Sequence, residues 1–250
     1  MAQYDYNFRV LKADIRLLTE EDTDPVLTNI QQEYRMFEEI LPVILALGND
    51  HLKAKHWKEI FEQMEPAAPS YSGKHFTVKQ LKGYGVLEQK QFIEEISATA
   101  SGEASLEADI DQIKKRWSEI TFEVRPYRTY KDKFIITEVD DIFTALDEDQ
   151  AMVQQMLGTK HVHGIKDVVE EWQKKLQLCY EILDEWCTCQ REWIYLENIF
   201  SADDIQKQLP ILTSKFNNVD KFWREIMMKT KKKPIVIEQC HLNDTLKKFR

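Results

Sequence analysis

IKDVVEEWQKKLQLCYEILDEWCTCQREWIYLENIF, Ile165–Phe200, is the stretch whose reading decides the fold. Trp172, Leu176, Cys179, Leu183, Trp186 and Trp193 recur in it with the near-heptad, coiled-coil-like rhythm of a helix that buries one stripe, interrupted at Gln190. Neither glycine nor proline stands between Ile165 and Phe200. At about 1.5 Å per residue such a helix reaches some 50 Å. Three of the six tryptophans lie on this stripe, so bulk of that size must pack against neighbouring helices. Across all 250 residues glycine and proline number seven each. Usage that low argues against β-sandwiches, glycine-rich α/β enzymes, collagen-like chains and disorder.

Upstream of this helix the same period recurs. After a weakly patterned lead-in over residues 1–27, apolar residues Ile30, Tyr34, Phe37, Leu41, Ile44 and Leu47 predict a helix from Thr28, which Pro42 should bend or interrupt. Gly48-Asn49-Asp50 reads as a stop and a fresh cap, and Leu52, His56, Trp57, Ile60, Phe61 and Met64 form a second amphipathic run. Residues 65–75 read as a loop. The helical pattern resumes through Leu87, Phe92, Ile93, Ile96, Leu106, Ile110, Ile113 and Trp117, with Gly83, Gly85 and Gly102 as its weak points.

One β signal stands among these helices. In ITFEVRPYRTYKDKFIITEV, Phe122 and Val124 alternate with Glu123 and Arg125, a polar turn spans Arg128 to Asp132, and Phe134-Ile135-Ile136-Thr137 follows. Two strands are marginal alone in water, so this hairpin over 119–138 must lean on helices or on a partner. A short helix, Asp140 to Leu157, and the link Gly158–Gly164 precede the long helix. Beyond it, a cap at Ser201-Ala202-Asp203-Asp204 opens a helix to Leu209, Pro210 interrupts, and Phe216, Val219, Phe222, Trp223, Ile226 and Met227 carry a further amphipathic segment. The basic run Lys229–Lys233 reads as a positive helix end, with a docking patch for an acidic partner as the alternative. A brief apolar run and the opening of another helix complete the chain. The expected class is mainly α, an elongated arched rod of helical bundles in series with one projecting β-hairpin.

Catalytic chemistry finds little foothold. Ser72-Gly73-Lys74-His75 lacks the upstream glycine of a phosphate loop and has histidine where serine or threonine must reach magnesium. Cys187 and Cys189, like His161 and His163, sit two apart and do not converge on one ion if helical. No serine or cysteine has a glycine-rich elbow, and Glu94-Glu95, Glu170-Glu171 and Asp203-Asp204 read as solvated faces or caps. The expectation is no catalytic, cofactor or metal residue. A net charge of −9 disfavours nucleic acid. No membrane span or signal peptide is legible, and four cysteines are too few for a disulfide framework, so a soluble, monomeric, cytosolic chain with free thiols is expected.

QREWIYLENIFSADDIQKQLPILTSKFNNVDKFWREIM, Gln190–Met227, resembles the linker domain of dynein heavy chains. The matching residues, in order, are Gln190-Arg191, Trp193, Tyr195-Leu196-Glu197, Ile199-Phe200, Asp204-Ile205, Leu209-Pro210, Phe216 and Val219-Asp220 to Trp223. Upstream, Lys55-His56-Trp57 is similar to the family's Arg-His-Trp helix, and Trp117, ITFEVRPY, the hairpin and the helix of Trp172 and Trp186 follow in the family's order. The resemblance covers residues 28–250, divided as 28–118, the hairpin 119–138 and 139–250. Ile211 departs from it, standing where the family carries an acidic residue after Leu-Pro, and the 65–75 loop is short.

The resemblance, closer to axonemal than to cytoplasmic heavy chains, implies a lever that bends and straightens over a ring of AAA+ modules in a microtubule motor. ATP and magnesium would belong to the parent's ring, intermediate and light chains to its partners, and the ciliary or flagellar axoneme to its location. By position the hairpin implies ring contact, with Phe122, Val124, Arg125, Tyr127, Arg128, Lys131, Lys133 and Phe134 as candidates. Pro42, Gly48, residues 65–75 and Gly158–Gly164 are the candidate hinges. A static scaffold of spectrin or solenoid type is the competing reading, although no internal repeat supports it.

Overall fold

A computed structural model describes residues 25–64 and 77–242, with isolated positions at 7, 10, 11, 13, 14 and 249. The 65–75 loop therefore lies outside the described residues, as does most of the lead-in. The helices are α1 (Pro25–Leu47), α2 (Ala54–Gln63), α3 (Val78–Gly83), α4 (Lys90–Glu119), α5 (Asp140–Leu157), α6 (Lys166–Phe200), α7 (Asp203–Gln208), α8 (Pro210–Lys232) and α9 (Val236–Cys240). Strands β1 (Glu123–Pro126) and β2 (Phe134–Thr137) form the hairpin. The chain is mainly helical and divides into two compact units, Met1–Ser105 and Leu106–Arg250.

The first unit is built on a core of Ile40, Val43, Leu47, Ile60, Phe61, Leu81, Val86, Ile93 and Ile96. Its first helix differs from the expectation in two ways. Pro42 does not interrupt it. The missing N–H and the ring clash cost about 3 kcal/mol, and full burial of the flanking Ile40 and Val43 offsets a cost of that size. The buried stripe is also rotated: Ile30 and Phe37 are exposed, and Ile40, Val43 and Leu47 face inward. Gly48 does end this helix, and the next one starts after Lys53. The Asn49 amide donates to the carbonyl and the hydroxyl of Ser97, each at 2.9 Å, and to Ser101 Oγ at 2.8 Å. Gly85, at φ +70, makes the turn between α3 and α4, where a side chain would be strained.

The second unit packs around the expected long helix, 35 residues from Lys166. Onto α6 come the far end of α4 (Leu106, Ile110, Ile113, Trp117), α5 (Ile142, Leu146, Val153, Met156), α8 and α9. Pro210 opens α8, where its missing N–H has no intrahelical partner to lose. The buried face of α8 is Phe216, Asp220, Trp223, Met227 and Thr230; Val219, expected inside, is exposed. The link before α6 is a packed 3-10 turn, Val162–Ile165, with both ends buried, which ill suits a loose hinge. Lys229, Lys231 and Lys232 lie in the last turn of α8, the positive helix end expected of them. The segment after α8 pairs back on the approach to β1: Phe122 N–H donates to the Pro234 carbonyl at 2.8 Å and Val236 N–H to the Ile120 carbonyl at 3.0 Å.

Candidate functional site

β1 and β2 run antiparallel, with Glu123 opposite Thr137 and Pro126 opposite Phe134. The ladder leaves the outward groups of β2 at Ile136 and Phe134, and buried edge groups need partners. Gln190, in the third-from-last turn of α6, supplies both for Ile136: its Nε2 donates to the carbonyl at 2.9 Å and its Oε1 accepts the N–H at 2.8 Å. Trp223 Nε1 of α8 donates to the Phe134 carbonyl at 3.1 Å. Two side chains thus stand in for a third strand. The residue that interrupts the apolar rhythm of α6 is the one that grips the sheet.

Side chains of the inner face enter the core. Phe122 meets Trp186 with ring centroids 5.1 Å apart, and Tyr127 meets Trp193 edge-on at 5.2 Å. Of the eight candidate contact residues, Phe122, Tyr127, Lys133 and Phe134 are therefore buried in their own unit, Val124 is half-buried, and Arg125, Arg128 and Lys131 are exposed. The hairpin is seated on its helices rather than projecting from them. Aromatic and aliphatic residues at alternate positions bury more apolar surface against α6 than they could in water.

At the turn end, charge is folded into this seat. Lys133 Nζ lies 2.9 Å from Glu197 Oε1 of α6 and 3.9 Å from Asp220 Oδ1 of α8, and sits over the Tyr130 ring at 4.3 Å. Asp220 also accepts Trp193 Nε1–H at 3.2 Å and an Arg224 N–H. Arg224 reaches on to Asp132 of the turn at 2.6 Å. Arg128 lies 3.6 Å from the second Glu197 oxygen and donates to Asn198 Oδ1, which also accepts the Tyr127 hydroxyl at 3.3 Å. Three cations face three carboxylates, with Glu197 only 1% exposed. Charges this deep are tolerated because each is paired; an orphaned member would carry several kcal/mol of desolvation cost. Burial pushes the Tyr127 phenol up, and the hydrogen bond to Asp220 holds the Arg224 guanidinium above its usual range. On the outer face, the hydrogen bond to Glu123 raises Arg125, which bridges Glu123 and Glu138 at 2.6 and 2.7 Å.

The remaining motif residues divide between cores and surface. His56 is buried; its Nδ1 accepts the Lys53 N–H at 3.1 Å, so Nε2 carries the proton and donates to Glu103 at 3.1 Å. Trp57 is half-buried beside Phe61. Trp117 Nε1 donates to the buried Asp149 at 2.8 Å, and Trp172 is half-buried with Lys175 over its ring at 5.2 Å. Trp186, Trp193, Phe216 and Trp223 are core, whereas Leu196 and Phe200 are half-buried, Phe200 stacking on Phe216 at 5.2 Å. Pro210 is exposed at the start of α8. Tyr195, grouped with the core by the motif, is 67% exposed: it falls off the stripe of Trp193 and Glu197.

Sequence reasoning passed over Glu103 and Asp149, and it named Glu197 and Asp220 only as family-motif residues, without their buried role. The signal was present in spacing: 176, 179, 183, 186, 190, 193 and 197 are one unbroken heptad series in which Gln190 and Glu197 hold core positions. Among the described residues no group of three metal-ligating side chains converges, and no helix is long and apolar enough to cross a membrane. The four thiols are free, Cys179 and Cys240 buried, and burial pushes Cys187 up to about 11.

Comparison with known proteins places this geometry in a family. The family described as "Dynein heavy chain, N-terminal region 2" matches residues 3–250. Dynein axonemal heavy chain 6 of Homo sapiens is 38% identical over 225 residues, which cover 90% of this chain and 5% of that protein. Dynein axonemal heavy chain 10 of Homo sapiens is 30% identical over 219 residues, covering 87% of this chain and 5% of its own length. Dynein axonemal heavy chain 1 of Mus musculus is 30% identical over 219 residues, with 86% and 5% covered. The chain spans about a twentieth of the length of these relatives. With the match running along nearly its whole length, the chain belongs to the dynein heavy chain family, as a stretch of N-terminal region 2.

Proposed function

We propose that this chain is part of the linker of an axonemal dynein heavy chain and acts as a mechanical lever in an ATP-driven microtubule motor. The lever would bend and straighten over the AAA+ ring of the same polypeptide, with no catalytic, metal or cofactor site of its own among residues 28–250. ATP and magnesium would act in the ring, the motor's track would be the microtubule, and intermediate and light chains would join elsewhere on the heavy chain. The axonemal cytoskeleton of a cilium or flagellum would be its location.

The observation that carries this reading is the seat of the hairpin. A force-bearing contact element must be fixed to a stiff member, and the hairpin is fixed to a 35-residue helix by backbone-directed hydrogen bonds and a buried ion pair. Its outer side presents Arg125, Arg128 and Lys131, which would be the ring-facing residues. In a full-length heavy chain, Arg125→Glu with Lys131→Glu is expected to slow microtubule gliding more than ATP turnover. Unchanged gliding would sink the contact assignment. Saturable ATP hydrolysis by the 250-residue chain alone would sink the lever reading itself.

A further inference from the structure

The chain is acidic, yet α8 carries six basic residues against two acidic ones. Neighbouring groups account for part of that excess. Lys231 lies over the Phe134 ring at 4.0 Å, Lys233 just past the helix pairs with Glu238 at 2.6 Å, and Arg224 is held between Asp132 and Asp220. Lys229 and Lys232 form no ion pair among the described residues. Both line a groove of about 390 Å³ with Asp132 of the hairpin turn, Arg224, Glu225 and Met228. Met228, 41% exposed, is an apolar member of this lining, next to Lys229 in sequence and one helical turn before Lys232, while Glu225 is an exposed carboxylate of the groove; Lys131 stands just before Asp132 on the exposed turn.

A helix end needs cations close to its last carbonyls to favour the dipole, and that effect fades within one turn. Lys229 stands at the start of that last turn and also lines the groove. We infer that the groove between the hairpin turn and the last two turns of α8 docks an acidic peptide segment carrying one apolar side chain. The apolar side chain would rest on Met228 while carboxylates meet Lys229 and Lys232. Charge complementarity selects a protein segment over a nucleic acid: the short cationic patch suits two or three carboxylates, whereas a long polyanion would also meet the remainder of a chain of net charge −9.

The test uses the 250-residue chain and a fluorescein-labelled synthetic peptide of glutamates around a single leucine, titrated by anisotropy. Saturable binding is expected, weakening as salt rises from about 0.05 to 0.3 M, where the screening length shortens about 2.5-fold, from about 14 Å to about 6 Å. Lys229→Glu with Lys232→Glu should weaken binding about tenfold or more, the scale of losing two charge contacts. Lys160→Glu with Lys174→Glu makes the same change in net charge elsewhere and should leave binding near wild type. Met228→Ser should weaken binding and leave its salt dependence in place. Equal loss from both lysine pairs, no effect of the Lys229/Lys232 change, no binding at low salt, or equally tight binding of duplex DNA would each overturn the inference. All these positions are exposed, and matching thermal melts would exclude misfolding as the cause.

Discussion

Gln190 holds Ile136 by both backbone groups, donating to its carbonyl at 2.9 Å and accepting its N–H at 2.8 Å. Removing the amide leaves a donor and an acceptor without partners beside a packed core, at a cost of about 1–3 kcal/mol. Gln190→Leu, which keeps the bulk and deletes both bonds, should lose that much in urea denaturation. Gln190→Glu keeps an acceptor and loses the donor, and should fall between. A leucine variant as stable as wild type would show that the amide does not anchor the strand.

Lys133 and Glu197 should behave as a coupled pair. Deleting one partner strands the other charge, so Lys133→Met or Glu197→Met alone is expected to cost about 3–5 kcal/mol. The double variant should cost much less than the sum, because no buried charge then lacks a partner on that side. A double-mutant cycle read by chemical denaturation checks this, and strict additivity would refute the coupling.

Trp193→Ala should cost about 3–5 kcal/mol, since the indole is buried between Tyr127 and Trp223 and its N–H serves Asp220. Its neighbour two positions on is the control: Tyr195→Ala, at an exposed site, should stay within about 0.5 kcal/mol of wild type. Equal effects would mean that the buried stripe of α6 is misplaced.

Cys187, pushed by burial from 9.0 up to about 11, should alkylate far more slowly with iodoacetamide at pH 8 than after unfolding in urea. The raised value also fixes the sign of its pH linkage. The native state holds this proton more tightly, so its contribution to stability is intact below about pH 9 and is lost as pH rises toward 11. Cys187→Ser should flatten the alkaline limb of a stability-versus-pH curve in that interval. An unchanged limb would contradict the shift.

Helix lengths were legible because their cause is local: α5 and α6 bury apolar residues at a helical period, and neither glycine nor proline stands inside either helix. The hairpin was legible as a hairpin, through alternation at Phe122–Arg125 and the β-branched run at Phe134–Thr137. Its orientation was not, because alternation does not say which helix takes the apolar face, and the lysine at 133 looked like a surface charge until Glu197 and Asp220 came to meet it. Nothing in the local pattern marks Asp149, Glu197 or Asp220 as buried; they are core because an indole N–H or a lysine from a distant segment needs an acceptor. Ile30 and Phe37 mislead for the converse reason: a periodic stripe says that a face could be buried, and the neighbours decide which way the helix turns and how far along it the burial runs.

The two polar anchors of α6, Gln190 and Glu197, stand seven residues apart, and the hairpin residues they grip, Ile136 of β2 and Lys133 just before it, stand three apart in the opposite direction. Seven helical residues advance about 10.5 Å and three strand residues about 10 Å. The two spacings coincide at this one alignment. If the hairpin slid by two residues, Gln190 would meet Phe134 and Lys133 would leave its carboxylate. The joint is therefore keyed: a pull along α6 meets two locks in step, and the hairpin must travel with the helix or let go of both.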